Sequence, residues 1–264
     1  MIGWSAEEII GQPVLDFLHP DDRLPAHEAL TGLFNGGVLP DVVEVRKRHR
    51  DGQYITLGTK ACGVNDPSTG KNIGAVLVSR DITRDKERMR ELEKLATRDA
   101  LTGLPNRAWI NDRIDCMLSQ AEDLAFTTVL FIDLNGFKAV NDSLGHATGD
   151  ALLQQVSERL QRCMRPGDSV ARLGGDEFVV AAKCSNREAA SAIARRIIES
   201  LKAPFAINNM DVCIGAAIGI SLSSFGADSA KLLFEHADTA MYKAKAQRDG
   251  TYQFYVPETL PARI

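Results

Sequence analysis

Long apolar runs, paired cysteines and a strong charge bias are all missing from this 264-residue sequence. No apolar run reaches membrane-spanning length, and the N-terminus has no basic region followed by an apolar stretch, so we expect no membrane segment. A net charge of −4 excludes a general nucleic-acid-binding surface, so any phosphate recognition must be local. The cysteines are odd in number, far apart and without metal-ligand spacing, which predicts a reduced, cytoplasmic protein. They are Cys62, Cys116, Cys163, Cys184 and Cys213.

The composition is that of an ordinary globular protein with one large or two modest domains, since 44% of the residues are apolar and 25% are charged. The first part opens on a short helix, with Ser5 as N-cap and Glu8 completing a capping box. Strand-like runs follow at residues 42–47, 54–61 and 73–79, separated by turn signals. We therefore expect an antiparallel sheet in this part.

Residues 1–83 resemble a PAS sensor domain. A complete domain of that family has two strands before its Gly-Trp-Ser segment, so we expect a sheet that is short, completed by a partner chain or cut where the sequence begins. His19 and His27 are more typical of surface residues than of haem ligands, and no cysteine stands in a flavin-reactive sequence, so we assign no cofactor to this domain. The segments that carry the resemblance are Gly3-Trp4-Ser5, His19-Pro20-Asp21-Asp22-Arg23, Arg50-Asp51-Gly52 and Arg80-Asp81-Ile82-Thr83.

A highly charged stretch at residues 84–98 predicts a helix that connects the two parts of the chain. Met89, Leu92 and Ala96 follow Ile82 at heptad-like spacing, so this helix is able to pair with its copy in a dimer. A solvated spacer helix explains the same short pattern equally well, and both interpretations stay open.

The remainder, residues 99–257, alternates helices and strands, and residues 258–264 form a short tail. This order predicts an α+β fold in which a central sheet is flanked by helices. Periodicity predicts helices at residues 109–120, 151–163, 187–201 and 229–245, and strands at residues 126–132 and 212–221 beside a central hairpin.

The most informative stretch is Gly174-Gly175-Asp176-Glu177, which lies between two strand-like runs and predicts a tight hairpin turn. The two carboxylates have no packing purpose there and repel each other unless a cation or a proton sits between them. Asp133 ends a buried strand, and if this strand lies beside the hairpin, three acids meet at strand ends. Hard oxygen ligands suit Mg²⁺, so we predict a magnesium site, with a solvated turn as the alternative.

A phosphate-binding turn is predicted directly after Asp133. Gly136 lets backbone N–H groups approach a phosphate closely, and Lys138 adds a fixed positive charge. A metal, backbone amides and a lysine together indicate a nucleoside triphosphate as the ligand.

Four segments of the second part look like a GGDEF-domain diguanylate cyclase: residues 99–107, 133–150, 174–178 and 237–242. The resemblance implies a fold similar to the polymerase palm and to nucleotide cyclases. It also implies that Mg²⁺, or alternatively Mn²⁺, assists the condensation of two GTP into cyclic di-GMP with release of two pyrophosphates. One active site then holds only one GTP, so catalysis needs a homodimer.

The family's functional residues carry over by position. Asp133 and Asp176 are the implied metal ligands, assisted by the carbonyl of Leu134, and Asp176 or Glu177 assists deprotonation of the attacking hydroxyl. The implied substrate contacts are Lys138 and the turn at Gly136 and Phe137, together with Lys245 and Arg248, for phosphate, and Asn141 and Asp150 for guanine.

Some of these positions have simpler explanations or depart from the family pattern. By composition alone, Asp150 caps a helix that begins at Ala151, and Lys245 is an ordinary cation near a helix C-terminus. The family places an arginine four residues past Lys245, where this sequence has Asp249. Either Arg248 substitutes through a shifted turn, or the affinity for triphosphate falls because of the added negative charge.

Arg165 and Asp168 suggest a second site, because they match the RxxD inhibitory motif of the same family. The resemblance implies that cyclic di-GMP binds there and arrests the enzyme, and by spacing Arg196 adds a contact. An ordinary helix-ending turn is the alternative explanation of this short motif.

Residues 252–258 resemble the exit from a GGDEF domain into an EAL phosphodiesterase domain, which suggests a piece of a longer PAS-GGDEF-EAL protein. Two hypotheses follow. The first is an active diguanylate cyclase under the control of the PAS sensor and of its product. The second is a catalytically weak module that binds GTP or cyclic di-GMP on behalf of a neighbouring domain.

Overall fold

The computed structural model describes residues 2–35, 37, 41–120, 125–223, 229–247 and 251–257. The chain divides into two compact units between Leu92 and Glu93. Each unit combines helices with antiparallel strands, so the predicted α+β class is confirmed. Across the described ranges, no helix is both long and apolar enough to cross a membrane.

The first unit opens with the predicted capping box. Ser5 Oγ accepts from the backbone N–H of Glu8 at 3.4 Å, and Glu8 Oε2 accepts from the Ser5 N–H at 2.8 Å. Two N–H groups at the start of the helix are thereby satisfied. The elements up to Asp81 are α1 (Ala6–Ile9), a 3₁₀ helix (Val14–Phe17), α2 (Pro20–Phe34), β1 (Val43–Arg48), β2 (Tyr54–Asn65) and β3 (Asn72–Asp81).

Strands β1, β2 and β3 form the predicted antiparallel sheet, in that order. The strands β2 and β3 run further than predicted, because their pairing continues to Asn65. Helix α2 packs against this sheet. Phe17, Leu18, Leu33 and Leu57 are buried and form the core of this unit.

The predicted connecting helix is α3 (Thr83–Thr97), which begins slightly earlier than expected. Asp81 Oδ1 accepts from the Thr83 N–H at 2.9 Å and so satisfies a free donor at the start of this helix. Met89, Leu92 and Leu95 are exposed in the single chain. Pairing of this helix with its copy stays a prediction.

The second unit is built on a five-stranded sheet in the order β10-β9-β4-β6-β5. All neighbouring strands are antiparallel except β10, which pairs in parallel with β9. The helices are α4 (Arg107–Ser119), α5 (Phe137–Leu144), α6 (His146–Arg162), α7 (Arg187–Lys202) and α8 (Ala230–Lys245). The strands are β4 (Phe126–Asn135), β5 (Ser169–Gly174), β6 (Glu177–Cys184), β7 (Phe205–Ile207), β8 (Met210–Val212), β9 (Gly215–Leu222) and β10 (Tyr252–Phe254).

The central strand β4 carries apolar residues on both faces. Leu130 and Ile132 face one core, which α5, α6 and α7 complete, whereas Val129 and Phe131 face the other core, under α4 and α8. Side chains of a strand alternate between its two faces. Asp133 therefore continues the row of Val129 and Phe131 and lies on the face that α4 and α8 cover.

Two predicted boundaries in this unit are wrong. The helix predicted from Ala151 begins at His146, and because Asp150 lies inside it, Asp150 does not cap it. The strand predicted at residues 212–221 is interrupted, since residues 210–212 form β8 and pair with β7. Asn208 and Asn209 turn this small hairpin with φ of 51° and 61°, a left-handed geometry that asparagine tolerates.

Helix α8 lies directly on the backbone of β9. A Cβ placed on Gly219 would be 1.9 Å from the Ala237 carbonyl oxygen and 2.2 Å from the Met241 backbone nitrogen. Neither atom can move without moving the helix, so glycine is required at this crossing.

We expect Gly219→Ala to destabilise the protein by about 2 kcal/mol or more, because the added methyl overpacks a backbone contact. Urea unfolding followed by circular dichroism measures this loss. Gly215→Ala in the same strand is the control, since a Cβ there meets only Asn135 atoms at an ordinary 3.6 Å. Equal destabilisation by the two variants would contradict the proposed close approach.

Candidate active site

The glycine pair forms the predicted hairpin tip. Gly174 pairs with Glu177, which leaves Gly175 and Asp176 as a two-residue turn. The φ angles of Gly174 and Gly175 are 143° and 50°, in the region that side chains disfavour. Glycine at both positions thus lets the chain reverse and present Asp176 and Glu177 at the end of the sheet.

Asp133 lies beside this hairpin tip. It is directly opposite Glu177 in the β4–β6 register, and residues opposite each other in an antiparallel pair share a face. The backbone N–H of Leu134 donates to the Asp176 carbonyl at 3.3 Å. Asp133 is 7% exposed, so its carboxylate needs a partner.

That partner is Lys245, at the end of α8. Its Nζ lies 2.8 Å from Asp133 Oδ1 and 2.9 Å from Oδ2. The hydrogen bond to Asp133 raises the pKa of Lys245, and the nearby charges of Asp176 and Glu177 add to this effect, while burial opposes it. The lysine predicted to contact phosphate is thus paired with a predicted metal ligand, a contact that sequence reasoning missed because the two residues lie far apart in the chain.

Glu177 lies among further charges. Burial raises its pKa, and Asp133, Asp176 and Asp238 raise it further, whereas Arg107 lowers it. Arg107 Nη2 is 4.0 Å from Glu177 Oε2. Arg107 and Asp238 were not predicted as site residues, although both lie in segments that carry the family resemblance.

The donor set at this end of β4 suits a hard divalent cation in its chemistry. Asp133, Asp176 and the Leu134 carbonyl offer oxygen atoms, and surplus negative charge surrounds Glu177. In the part of the chain that the structure describes, however, no three His, Cys, Asp or Glu side chains form a group that could hold a metal ion. The three acids therefore form no three-ligand cluster among the described residues, and Asp133 pairs with Lys245 instead.

The predicted phosphate turn begins α5. Gly136 adopts φ of 87° as the N-cap, and no side chain caps the helix. The N–H groups of the first turn are therefore available to an anion. Lys138 is exposed, whereas the Phe137 side chain is buried in the core, so Phe137 offers its backbone only.

The two predicted guanine-reading residues lie on adjoining helices. Asn141 on α5 touches the backbone of α6, because a Cβ placed on Gly149 would be 1.9 Å from Asn141 Oδ1. This oxygen is buried and accepts no hydrogen bond from any described residue. Asp150 follows Gly149 and is exposed. The Asn141 oxygen is thus buried against α6, whereas the Asp150 carboxylate on that helix is exposed.

Arg172 ties the hairpin tip to the segment before α4. Its Nε and Nη2 donate to the Gly175 carbonyl at 3.0 and 2.8 Å, and its Nη1 donates to Asp99 Oδ1 at 2.9 Å. Burial acts to raise the pKa of Asp99, but hydrogen bonds from Thr102 and Arg172 outweigh it and hold this pKa below its ordinary value. Sequence reasoning gave Arg172 no role, because a single arginine in a strand carries no pairing signal.

The two motif residues of the predicted inhibitory site contact each other. Arg165 Nε donates to Asp168 Oδ1 at 3.2 Å, and the Arg165 N–H donates to Asp168 Oδ2 at 3.2 Å. Both residues line a cleft that also contains Arg113 and Lys183, which were not predicted. Arg196 lines a cleft with Lys202 and Tyr252, and its backbone carbonyl lies 3.9 Å from Cys163 Sγ, two residues before Arg165, so its contact with the ligand stays a prediction. Arg248 and Asp249 lie outside the described residues.

The sheet of the second unit thus ends in acidic residues beside a helix start whose N-cap is a glycine. Residues 96–251 match the family described as diguanylate cyclase, GGDEF domain, and residues 1–76 match the PAS fold. The chain belongs to the GGDEF diguanylate cyclase family. The two predicted resemblances are thereby confirmed.

Three similar proteins illustrate the range of this family. The chain is 40% identical over 192 residues to the cyclic di-GMP phosphodiesterase PdeR of Escherichia coli, covering 72% of this chain and 29% of PdeR. It is 35% identical over 274 residues to the probable diguanylate cyclase DgcE of Escherichia coli, covering 99% of this chain and 24% of DgcE. A crystal structure of the GGDEF domain of PA1120 (YfiN or TpbB) from Pseudomonas aeruginosa is similar, with a TM-score of 0.57 and 41% identity. The similarity covers 59% of this chain and 98% of that domain structure. The chain thus spans less than a third of the length of PdeR and of DgcE.

We expect Glu177→Gln to stabilise the metal-free protein at neutral pH. Free glutamate titrates near 4.5 and the folded carboxyl titrates higher, so the native state binds more protons between the two values and stability falls as pH rises through them. Because the group is partly exposed, the gain in Tm is about 1–3 °C at pH 8 and disappears below the unfolded pKa. Calorimetry with a chelator measures it, with the exposed Glu199→Gln as control, and a lower Tm for Glu177→Gln at pH 8 would contradict the prediction.

Proposed function

We propose that this chain is a diguanylate cyclase, which condenses two GTP into cyclic di-GMP and releases two pyrophosphates. The observation that carries the proposal is the placement of Asp133 opposite Glu177, with Asp176 in the adjoining turn. The family membership supports it, since residues 96–251 match the GGDEF domain and contain these three acids.

Asp133, Asp176 and the Leu134 carbonyl would hold Mg²⁺ or Mn²⁺, which when bound stabilises charge on the phosphoryl oxygens. Lys138 and the free N–H groups after Gly136 bind the phosphates. The lysine ammonium and the backbone N–H groups all donate hydrogen bonds to phosphate oxygens. Because the backbone donors are fixed in the turn, they need no reorganisation when negative charge develops on those oxygens.

Asn141 and Asp150 orient the base. The Asp150 carboxylate accepts from guanine N1–H and the exocyclic amine, a pattern that adenine does not offer. Asn141 is proposed to adjoin the base on the neighbouring helix, since its side chain packs against Gly149, the residue before Asp150. Rejecting ATP then follows from leaving these polar groups unpaired.

Glu177 is the better proposed base for the 3′-hydroxyl of GTP. It lies opposite Asp133 and, unlike Asp176, has no proposed role as a metal ligand, so its carboxylate stays available to accept a proton. The Arg107 guanidinium, 4.0 Å away, partly balances the negative charge of ionised Glu177. Asp176, for which a metal-binding role is proposed, is the second candidate.

Catalysis requires two copies, because each site binds one GTP and the 3′-hydroxyl of one nucleotide attacks the α-phosphorus of the other. The exposed apolar residues Met89, Leu92 and Leu95 of α3 support pairing of this helix with its copy. The PAS domain is proposed to control that pairing.

A catalytically weak module that binds GTP or cyclic di-GMP is the second candidate. The observation that favours it is the ion pair between Lys245 and Asp133, which withholds one proposed metal ligand. The similarity to PdeR, which is named as a phosphodiesterase, supports it as well.

Incubation with GTP and Mg²⁺ separates the two candidates. We expect cyclic di-GMP, and we expect Asp176→Asn to lower its formation by about 100-fold or more, because a metal ligand is lost. Asp211→Asn in β8, a solvent-exposed acid outside the site, is the control. Tight GTP binding by the wild-type chain without turnover, even at high protein concentration, would reject the cyclase and favour the binding module.

Product inhibition is proposed at Arg165 and Asp168. We expect Arg165→Ala to raise the cyclic di-GMP concentration that halves the initial rate by about tenfold or more, because charge-assisted bonds to the ligand are lost. Arg162→Ala is the matched control, since Arg162 pairs with Glu158 outside the cleft. If both variants need the same cyclic di-GMP concentration as the wild type for half-inhibition, the product acts at another site.

A further inference from the structure

One carboxylate oxygen of Asp133 has no hydrogen-bond partner. The Lys245 ammonium donates to Oδ2 at 2.9 Å, and it also lies 2.8 Å from Oδ1. Oδ1 is nevertheless buried and accepts no hydrogen bond from any described residue. Because the Asp133 side chain is only 10% exposed, bulk water does not supply the missing partner. The ion pair thus balances the charge of this carboxylate but leaves one of its oxygens unsatisfied.

Lys245 reaches Asp133 from a fixed helix through a flexible side chain. Helix α8 contacts the backbone of β9 at Gly219, and Lys245 is the last residue of this helix. The Lys245 side chain is 47% exposed, and a lysine ammonium is carried on a flexible four-carbon stem. Rotation about the bonds of that stem is therefore enough to move the ammonium away from Asp133.

The ammonium makes Asp133 a poor ligand for a second cation. It lies against both carboxylate oxygens, and a divalent cation that approached the same oxygens would be repelled by it. The negative charges of Asp176 and Glu177 also act on Lys245, so this end of the sheet attracts positive charge of either kind. A hard divalent cation prefers the same carboxylate oxygens that Lys245 holds.

We propose that Lys245 and a divalent cation compete for Asp133, so that each binds this carboxylate only when the other has left it. Lys245 then lowers the affinity of Asp133 for the cation without abolishing it. The ammonium that leaves Asp133 is free to donate to a phosphate that accompanies the cation. This inference rests on the metal-binding role of Asp133 in the proposed function, but it does not require turnover.

Binding of Mn²⁺ to the full chain without nucleotide, measured by electron paramagnetic resonance, tests the proposal. We expect Lys245→Met, which keeps the length of the side chain and removes its charge, to bind Mn²⁺ about tenfold or more tightly than the wild type. Lys243→Met is the matched control with wild-type affinity, since Lys243 is an exposed lysine of the same helix. The gain is expected to disappear when Asp133→Asn is combined with Lys245→Met, because the two side chains no longer compete with Mn²⁺ at one carboxylate.

Tighter Mn²⁺ binding by Lys245→Met but not by Lys243→Met, lost with Asp133→Asn, would support the proposal. An equal gain in both lysine variants would overturn it, because the effect would then come from the charge of the helix. Equal affinity of the wild type and Lys245→Met, with weaker binding by Asp133→Asn, would overturn the competition and leave the proposed metal site intact. If neither the wild type nor Lys245→Met bound Mn²⁺, both the metal site and the competition would be rejected.

Chemical modification of the wild-type protein decides the question even if Lys245→Met fails to fold. We expect saturating Mg²⁺ to raise the rate at which acetic anhydride acetylates Lys245, because the ion pair that keeps this amine protonated is lost. Mass spectrometry measures the rate, with Lys243 in the same sample as the internal control. An unchanged rate at Lys245, or an equal rise at Lys243, would overturn the proposal.

Discussion

Negative charge collects at the end of strand β4, and most of the surrounding structure can be understood from how that charge is balanced. Asp133 is nearly buried and lies opposite Glu177, so the two carboxylates would repel each other in isolation. Lys245 from α8 neutralises the first, and Arg107 from the start of α4 approaches the second. Both helices that cover this face of the sheet therefore contribute a cation to its acidic end.

The hairpin tip is held by a second set of contacts. Arg172 binds the Gly175 carbonyl on one side and Asp99 on the other, so the turn that carries Asp176 is attached to the chain immediately after α3. A buried guanidinium with two fixed partners sets a geometry more strongly than an exposed ion pair does. The acids at the tip are thus positioned by residues that do not belong to the site.

Much of this arrangement could be predicted from local sequence signals. The Gly174-Gly175 pair specifies a hairpin, Ser5 and Glu8 specify a cap, and a buried strand that ends at Asp133 is evident from its apolar residues. These features depend on neighbours in the chain, which is why the sequence reveals them.

The features that could not be predicted depend on residues that are distant in the chain, or on a helix boundary that local sequence signals leave ambiguous. Lys245 and Asp133 meet only because α8 crosses the sheet, and no local pattern encodes that contact. The start of α6 was misplaced because Gly145, with φ of 83°, ends α5 and also precedes α6, so two helices follow each other without a loop.

The close approach of α8 to the backbone of β9 at Gly219 has a mechanical consequence. At Gly219 the helix rests on main-chain atoms, which have no alternative rotamers, so the helix cannot slide to relieve strain. The half-exposed Lys245 side chain, by contrast, is held by its ion pair with Asp133 and is joined to the helix through rotatable bonds. Separation of Lys245 from Asp133 therefore requires rotation of one side chain and no shift of the helix backbone that carries it.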